Sequence, residues 1–142
     1  MTTFPLSGLL RVRGAQERVA AERLSRATAD RNRAELAAQD AQASLNDLRP
    51  QIDDARTLMA MAAARAAGRS ALSDLQALAE LRRDEEADAR SAHVDARREL
   101  KGLERLETGH RVATARAELA AEQSAIDEIA VTRTARGEGS AA

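Results

Sequence analysis

The sequence predicts an all-α fold, a long antiparallel two-helix coiled-coil hairpin, on three observations. Ala, Leu, Arg, Glu and Lys make up about 60% of the 142 residues, above the roughly 50% that, with helical periodicity, marks long helices and coiled coils. An apolar seven-residue repeat runs through the first half. Two segments of nearly equal length, almost free of Pro and Gly, flank a central stretch, Ala62-Ala-Ala-Arg-Ala-Ala-Gly68-Arg-Ser70. With one aromatic residue, Phe4, and few β-branched residues, sheet propensity is poor throughout. Ala contributes little buried apolar surface, so stability is expected to be modest and a partner to supply part of it.

Helix one is expected over about 5–67. Pro5 suits the first helical turn, where its missing N–H costs nothing, and Phe4 ahead of it can fold back onto that turn. Alternating steps of three and four give the seam Leu10, Arg13, Glu17, Ala20, Leu24, Ala27, Arg31, Ala34, Ala38, Ala41, Leu45, Leu48, Ile52, Ala55, Met59, Ala62, Ala66. Fourteen of these seventeen positions are apolar, a heptad that imposes a left-handed supercoil on a partner helix. Arg13, Glu17 and Arg31 interrupt it; long side chains there can snorkel out of an Ala-rich seam, or mark where another protein engages. Pro50 costs a helix interior about 3 kcal/mol, yet the repeat continues on both sides of it, which predicts a kinked but continuous helix.

The turn is expected at about 68–72, with Gly68 as an αL C-cap and Ser70 or Ser73 as the next N-cap, Ser73-Asp-Leu-Gln76 having capping-box spacing. Helix two then covers about 73–133, marked by Leu72, Leu75, Leu78, Ala89, Ala92, Ala96, Leu103 and Leu106, and later by Val112, Leu119 and Ile126. These two sets are out of register by about one residue near Gly102–Gly109, which a stammer would reconcile. Matched arms, each roughly 95 Å at about 1.5 Å per residue, would bring residue 10 opposite residue 126. Residues 1–134 thus read as one hairpin domain and 135–142 as a disordered tail.

Chemistry is nearly absent from the pattern. His93 and His110 are seventeen apart, cysteine is missing, no Gly-rich phosphate loop is present, and Asp84-Glu85-Glu86-Asp88 reads as a solvated helix face. No catalytic residues, metal ligands or cofactor are therefore expected, and the protein is read as no enzyme. A net charge of −1 argues against a nucleic-acid or anionic-membrane coat. No apolar run approaches the length of a membrane span, and the N-terminus lacks the features of a secretion signal. A cytoplasmic location is the expectation. Residues 1–33 hold seven Arg against three acids, whereas 34–110 hold eleven basic and fifteen acidic residues. Part of this is ordinary i,i+4 pairing, as in Glu22 and Arg26; the excess suggests a basic pole steering toward an acidic partner.

At its termini the sequence resembles the FliJ family of flagellar type III export proteins. Phe4-Pro-Leu6-Ser-Gly-Leu9-Leu10-Arg-Val-Arg13, followed by Glu17, Ala20 and Leu24, is similar to that family's F-x-L-x-x-L-L-x-x-R-x-x-E start. Leu103-Glu-Arg-Leu106, Glu122-Gln123 and Ile126-Asp127-Glu128-Ile129-Ala130 are similar to its L-E-x-L and E-Q-x-x-x-D-E-x-A ending. The matched motifs cover about a third of the chain. The resemblance implies a two-helix coiled coil like the γ stalk of rotary ATPases. The paired terminal ends of such a stalk enter the pore of the hexameric flagellar export ATPase and promote its assembly and activity. Its body contacts the membrane export gate protein FlhA and escorts or recycles substrate chaperones, at the cytoplasmic base of the flagellum.

Carried onto this chain, the ring-facing residues are Leu6, Leu9, Leu10, Arg13 and Glu17 on helix one, and Glu122, Gln123, Asp127 and Glu128 on helix two. Some family members carry aromatic residues on the body that contribute to gate binding; only Phe4 is present here, so no gate residues are assigned. Two other readings share the hairpin plan: a structural or oligomerising coiled-coil spacer, and the equivalent stalk of a virulence-type secretion system.

Overall fold

A computed structural model describes residues 3–49, 51 and 53–138, with side chains through 136. Helix accounts for 93% of it. Two helices, α1 (Ser7–Asp47) and α2 (Ala55–Glu138), pack against each other with no strand among the described residues, an all-α helical hairpin as expected. Their bounds differ from the expected ones. The connection lies at 48–54, and Gly68 sits inside α2.

The physical reason is the relative cost of two helix breakers. Proline costs a helix interior about 3 kcal/mol and glycine about 1, and a proline also excludes its predecessor from the helical region. α1 accordingly ends at Asp47, and Arg49 N–H donates to the Asp47 carbonyl at 2.8 Å. The expected kink at Pro50 lies outside the described residues, as does seam position Ile52. Asp54 then caps α2: its Oδ1 accepts the Thr57 N–H at 2.7 Å, satisfying one of the orphan donors of a helix start. Bonds from the Thr57 hydroxyl and then its N–H hold the Asp54 carboxyl below the ordinary carboxylate range. On the other side, Arg65 Nη2 donates to the Leu48 carbonyl at 3.2 Å, at the C-terminal end of α1 where unsatisfied carbonyls favour a cation.

Gly68 has no positive φ, so the αL cap expected there is absent. What it supplies is space. A Cβ built on it would stand 2.5 Å from Leu45 Cδ2, so Leu45 occupies the volume a side chain would take.

The chain divides into two compact units, Ala15–Arg97 and Met1–Gly14 with Arg98–Ala142. Within the first, Glu17 meets His93, Arg31 meets Glu86, Glu35 meets Arg83 and Leu48 meets Arg65. One number falls as the other rises, which is antiparallel pairing. The α1 seam here is the one read from the sequence, buried or half-buried at 17, 20, 24, 27, 31, 34, 38, 41, 45 and 48. Beyond 48 that reading fails: Ala55, Ala62 and Ala66 are exposed, and Met59 is 74% exposed. The α2 seam of this unit is Gly68, Leu72, Leu75, Ala79, Arg82, Glu86, Ala89, His93 and Ala96, with Leu78 and Ala92 outside it.

In the second unit, Phe4 tilts against His110 with ring centroids 5.6 Å apart, and Arg13 Nη1 pairs with Glu99 Oε2 at 2.5 Å. The half-buried positions of α2 are 100, 103, 107, 110 and 114, spaced by threes and fours without interruption. The stammer expected near Gly102–Gly109 is therefore absent: Leu106, Val112, Leu119 and Ile126 are exposed and never belonged to the seam. α2 continues helically to Glu138, so residues 135–138 of the expected disordered tail are helix, while 139–142 lie outside the described residues.

Candidate partner-binding surfaces

The unit Ala15–Arg97 holds its charges inward. Glu86, only 6% exposed, accepts a hydrogen bond from the Thr28 hydroxyl at 2.9 Å and one from Arg90 Nη2 at 3.1 Å. Arg31 Nε lies 3.1 Å from its Oε2 as an ion pair, without the alignment of a hydrogen bond. Thr28 first, then the Arg31 and Arg90 cations, hold the Glu86 carboxyl below its ordinary value, against the opposing effect of burial. Glu17 Oε1 and His93 Nε2, both half-buried, are 2.9 Å apart. Glu86 therefore lies in a seam, not on the solvated face read for residues 84–88. Glu17, a predicted ring-facing residue, faces the partner helix.

Of the seven arginines in the expected basic pole, Arg13, Arg26, Arg31 and Arg33 are tied to Glu99, Glu22, Glu86 and Asp30. Arg11, Arg18 and Arg23 have no acidic partner among the described residues. Internal pairing neutralises about half of that pole.

The unit Met1–Gly14 with Arg98–Ala142 carries the other predicted residues. Leu6 and Leu9 are exposed and Leu10 is half-buried. The register set by Phe4–His110 and Arg13–Glu99 puts Leu10 opposite about residue 103, so the expected meeting of residues 10 and 126 does not occur. Phe4 borders a shallow groove with His110, Thr114 and Glu118. From Ala115 through Arg136 every side chain of α2 is exposed. Glu122, Gln123, Asp127 and Glu128 all lie on this arm, where Gln123 Nε2 donates to Asp127 Oδ1 at 3.0 Å. The predicted residues thus form two groups that the structure does not bring together: the start of α1, and a stretch of α2 extending past it.

Sequence reasoning missed the arm because equal helices around Gly68 leave nothing over. The signal was Pro50 with Asp53-Asp54 behind it, a breaker followed by a cap. Among the described residues no cluster of His, Asp and Glu could hold a metal ion, and no helix is long and apolar enough to cross a membrane.

Comparison with curated proteins and with solved structures finds no match. The family model described as flagellar FliJ protein matches residues 2–139, nearly the whole chain. An antiparallel helical hairpin with family-like motifs at both ends agrees with that match, and the chain belongs to the flagellar FliJ protein family.

Proposed function

We propose that this flagellar export-related coiled coil is the γ-stalk-like component that engages the hexameric export ATPase and stimulates it, working without catalytic chemistry of its own. The observation that carries the reading is the arm: α2 runs more than twenty residues past the position where Phe4 packs, fully exposed and bearing Glu122, Gln123, Asp127 and Glu128. A single helix of that kind fits a narrow opening that a pair would not enter. The exposed Leu6 and Leu9 at the start of α1 form a collar able to seat at the rim. Arg13 and Glu17 act through their ties to Glu99 and His93, holding that start in place. Links to the gate protein FlhA and to substrate chaperones, at the cytoplasmic base of the flagellum, complete the proposed role.

The test is ATP hydrolysis by the purified export ATPase with and without this chain. Glu122→Arg with Asp127→Arg and Glu128→Arg removes most of the stimulation while circular dichroism stays helical. Leu10→Asp with Arg13→Glu does the same by loosening the start of α1. Restoring the ion pair, as Arg13→Glu with Glu99→Arg, returns stimulation if Arg13 is a positioning residue. Undiminished stimulation by the first two variants overturns the reading.

A further inference from the structure

Within the unit Met1–Gly14 with Arg98–Ala142, one face of α2 is unaccounted for. The seam that receives α1 runs through 100, 103, 107, 110 and 114. Val112, Leu119 and Ile126 repeat every seven residues two positions away from it, which on a helix is nearly the opposite side. All three are exposed, Leu119 by 65% and Ile126 by 60%, and Ile129 adjoins them.

Two further observations fall on the same face. Gly102 and Gly109 are seven apart and flank the stripe, and a Cβ on either would meet nothing within 4 Å. Glycine weakens a helix interior; Gly68 has a neighbour that needs the space, and these two have none among the described residues. Glycine lets another backbone approach closely. The charges also divide along the helix. Arg98, Lys101, Arg105 and Arg116 lie on this face, with Glu104 at its edge, and Glu122 and Asp127 border it farther along. None of the seven is in an ion pair among the described residues.

We propose that this face is a self-association surface, on which two copies of the chain pair antiparallel about a two-fold axis. Setting Val112 of one copy against Leu119 of the other puts that axis beside Ala115. Lys101 and Arg105 of each helix then flank Asp127 of its partner, and each Gly102–Gly109 stretch receives the other helix closely. A parallel pair would put like charge on like. Two-fold symmetry is the commonest plan for homo-oligomers because one self-complementary patch suffices. The surface does not depend on the ATPase reading, although a pair formed through the arm would keep it from entering a ring.

Sedimentation equilibrium of the purified full chain across the micromolar range reads this directly. A monomer–dimer equilibrium that weakens at high salt is expected. Leu119→Lys with Ile126→Lys raises the dimer Kd by at least about tenfold, as removal of central apolar anchors does. Gly109→Leu separates interface from fold: it raises the melting temperature of the monomer and weakens the dimer, whereas a residue with a purely structural role would move both in one direction. Ala115→Cys, in a chain otherwise free of cysteine, oxidises to a covalent dimer, and Ala130→Cys does not. A chain that stays monomeric throughout overturns the proposal, whether or not it stimulates the ATPase. So does a dimer indifferent to Leu119→Lys and Gly109→Leu. Loss of ATPase binding in these variants, with a monomeric wild type, assigns the face to that partner instead.

Discussion

The connection at 48–54 and the α2 segment around Gly68 both contain a residue unfavourable to helix, and they behave oppositely. At the connection the helix gives way completely, and the groups it strands find new partners: the Leu48 carbonyl takes Arg65, and the Thr57 N–H takes Asp54. At Gly68 the helix continues, and the missing side chain becomes the socket for Leu45. The difference follows from the breakers themselves, since capping residues stand ready behind both and proline costs a helix interior about 3 kcal/mol. A glycine between long Ala-rich runs costs about 1 kcal/mol, which packing against a neighbouring leucine can offset.

The comparison is broken most forcefully at Gly68. Gly68→Leu places a branched side chain where Leu45 sits; overpacking of this kind costs about 1–3 kcal/mol, measurable by urea denaturation. Gly102→Ala is the matching control, since nothing lies within 4 Å of its Cβ; it stabilises by up to about 1 kcal/mol through helix propensity. Equal effects at the two glycines would mean that Leu45 does not define the socket.

The next effect in size concerns charge in the same unit. The Glu86 carboxyl is held below the ordinary glutamate value of 4.5, chiefly by the Thr28 hydroxyl. A depressed folded pKa contributes stability that is present above the unfolded value and lost as pH falls through the folded one. The contribution of this cluster is therefore full above pH 4.5 and fades in more acid solution. Thr28→Val removes the leading hydrogen bond, lowers the melting temperature at neutral pH, and shifts the acid limb of the melting curve to higher pH. Glu86→Gln leaves Arg31 beside a neutral group, lowering the neutral melting temperature and flattening the acid limb. A melting curve whose acid limb is the same in all three proteins would exclude Glu86 as its source.

Much of α1 was legible in the sequence because its seam is mostly Ala and Leu at strict heptad spacing, from Leu10 to Leu48. The α2 seam was not, because Arg82, Glu86, His93, Glu107 and His110 occupy it while Leu78, Leu106, Leu119 and Ile126 point elsewhere. Apolar periodicity reports which face is apolar, and in α2 that face is partly the outer one. Two of these polar seam residues are met by side chains of α1, Glu86 by Thr28 and Arg31 and His93 by Glu17. Those pairings depend on the antiparallel register, which no local pattern contains. The candidate site was read at both ends of the chain from motifs, but its division into two groups followed from where the turn falls. Placing that turn required weighing Pro50 with Asp54 against Gly68 with Ser73, two breaker-and-cap pairs of similar appearance.

That weighing yields the smallest and most discriminating experiment. Asp54→Ala removes the side chain that accepts the Thr57 N–H, and with it the bond that starts α2. The group is exposed, so the fall in melting temperature is less than at Gly68 or Thr28, and Asp54→Asn, which keeps an acceptor oxygen, recovers most of it. Hydrogen exchange gives the sharper reading. Fraying a helix start exposes only the first turn, so amides at 56–58 lose protection while those from 61 to 67 keep theirs. The alternative start at Ser70 or Ser73 predicts something different. If the chain could use it once Asp54 is gone, protection would be lost through 67 and retained from 73 on. Loss confined to the first turn means that residues 59–72 are held as helix by their own propensity and by Leu45 against Gly68, and that the turn cannot migrate. Loss through 67 would mean that the two breaker-and-cap pairs compete, and that the Asp54 cap is what decides between them.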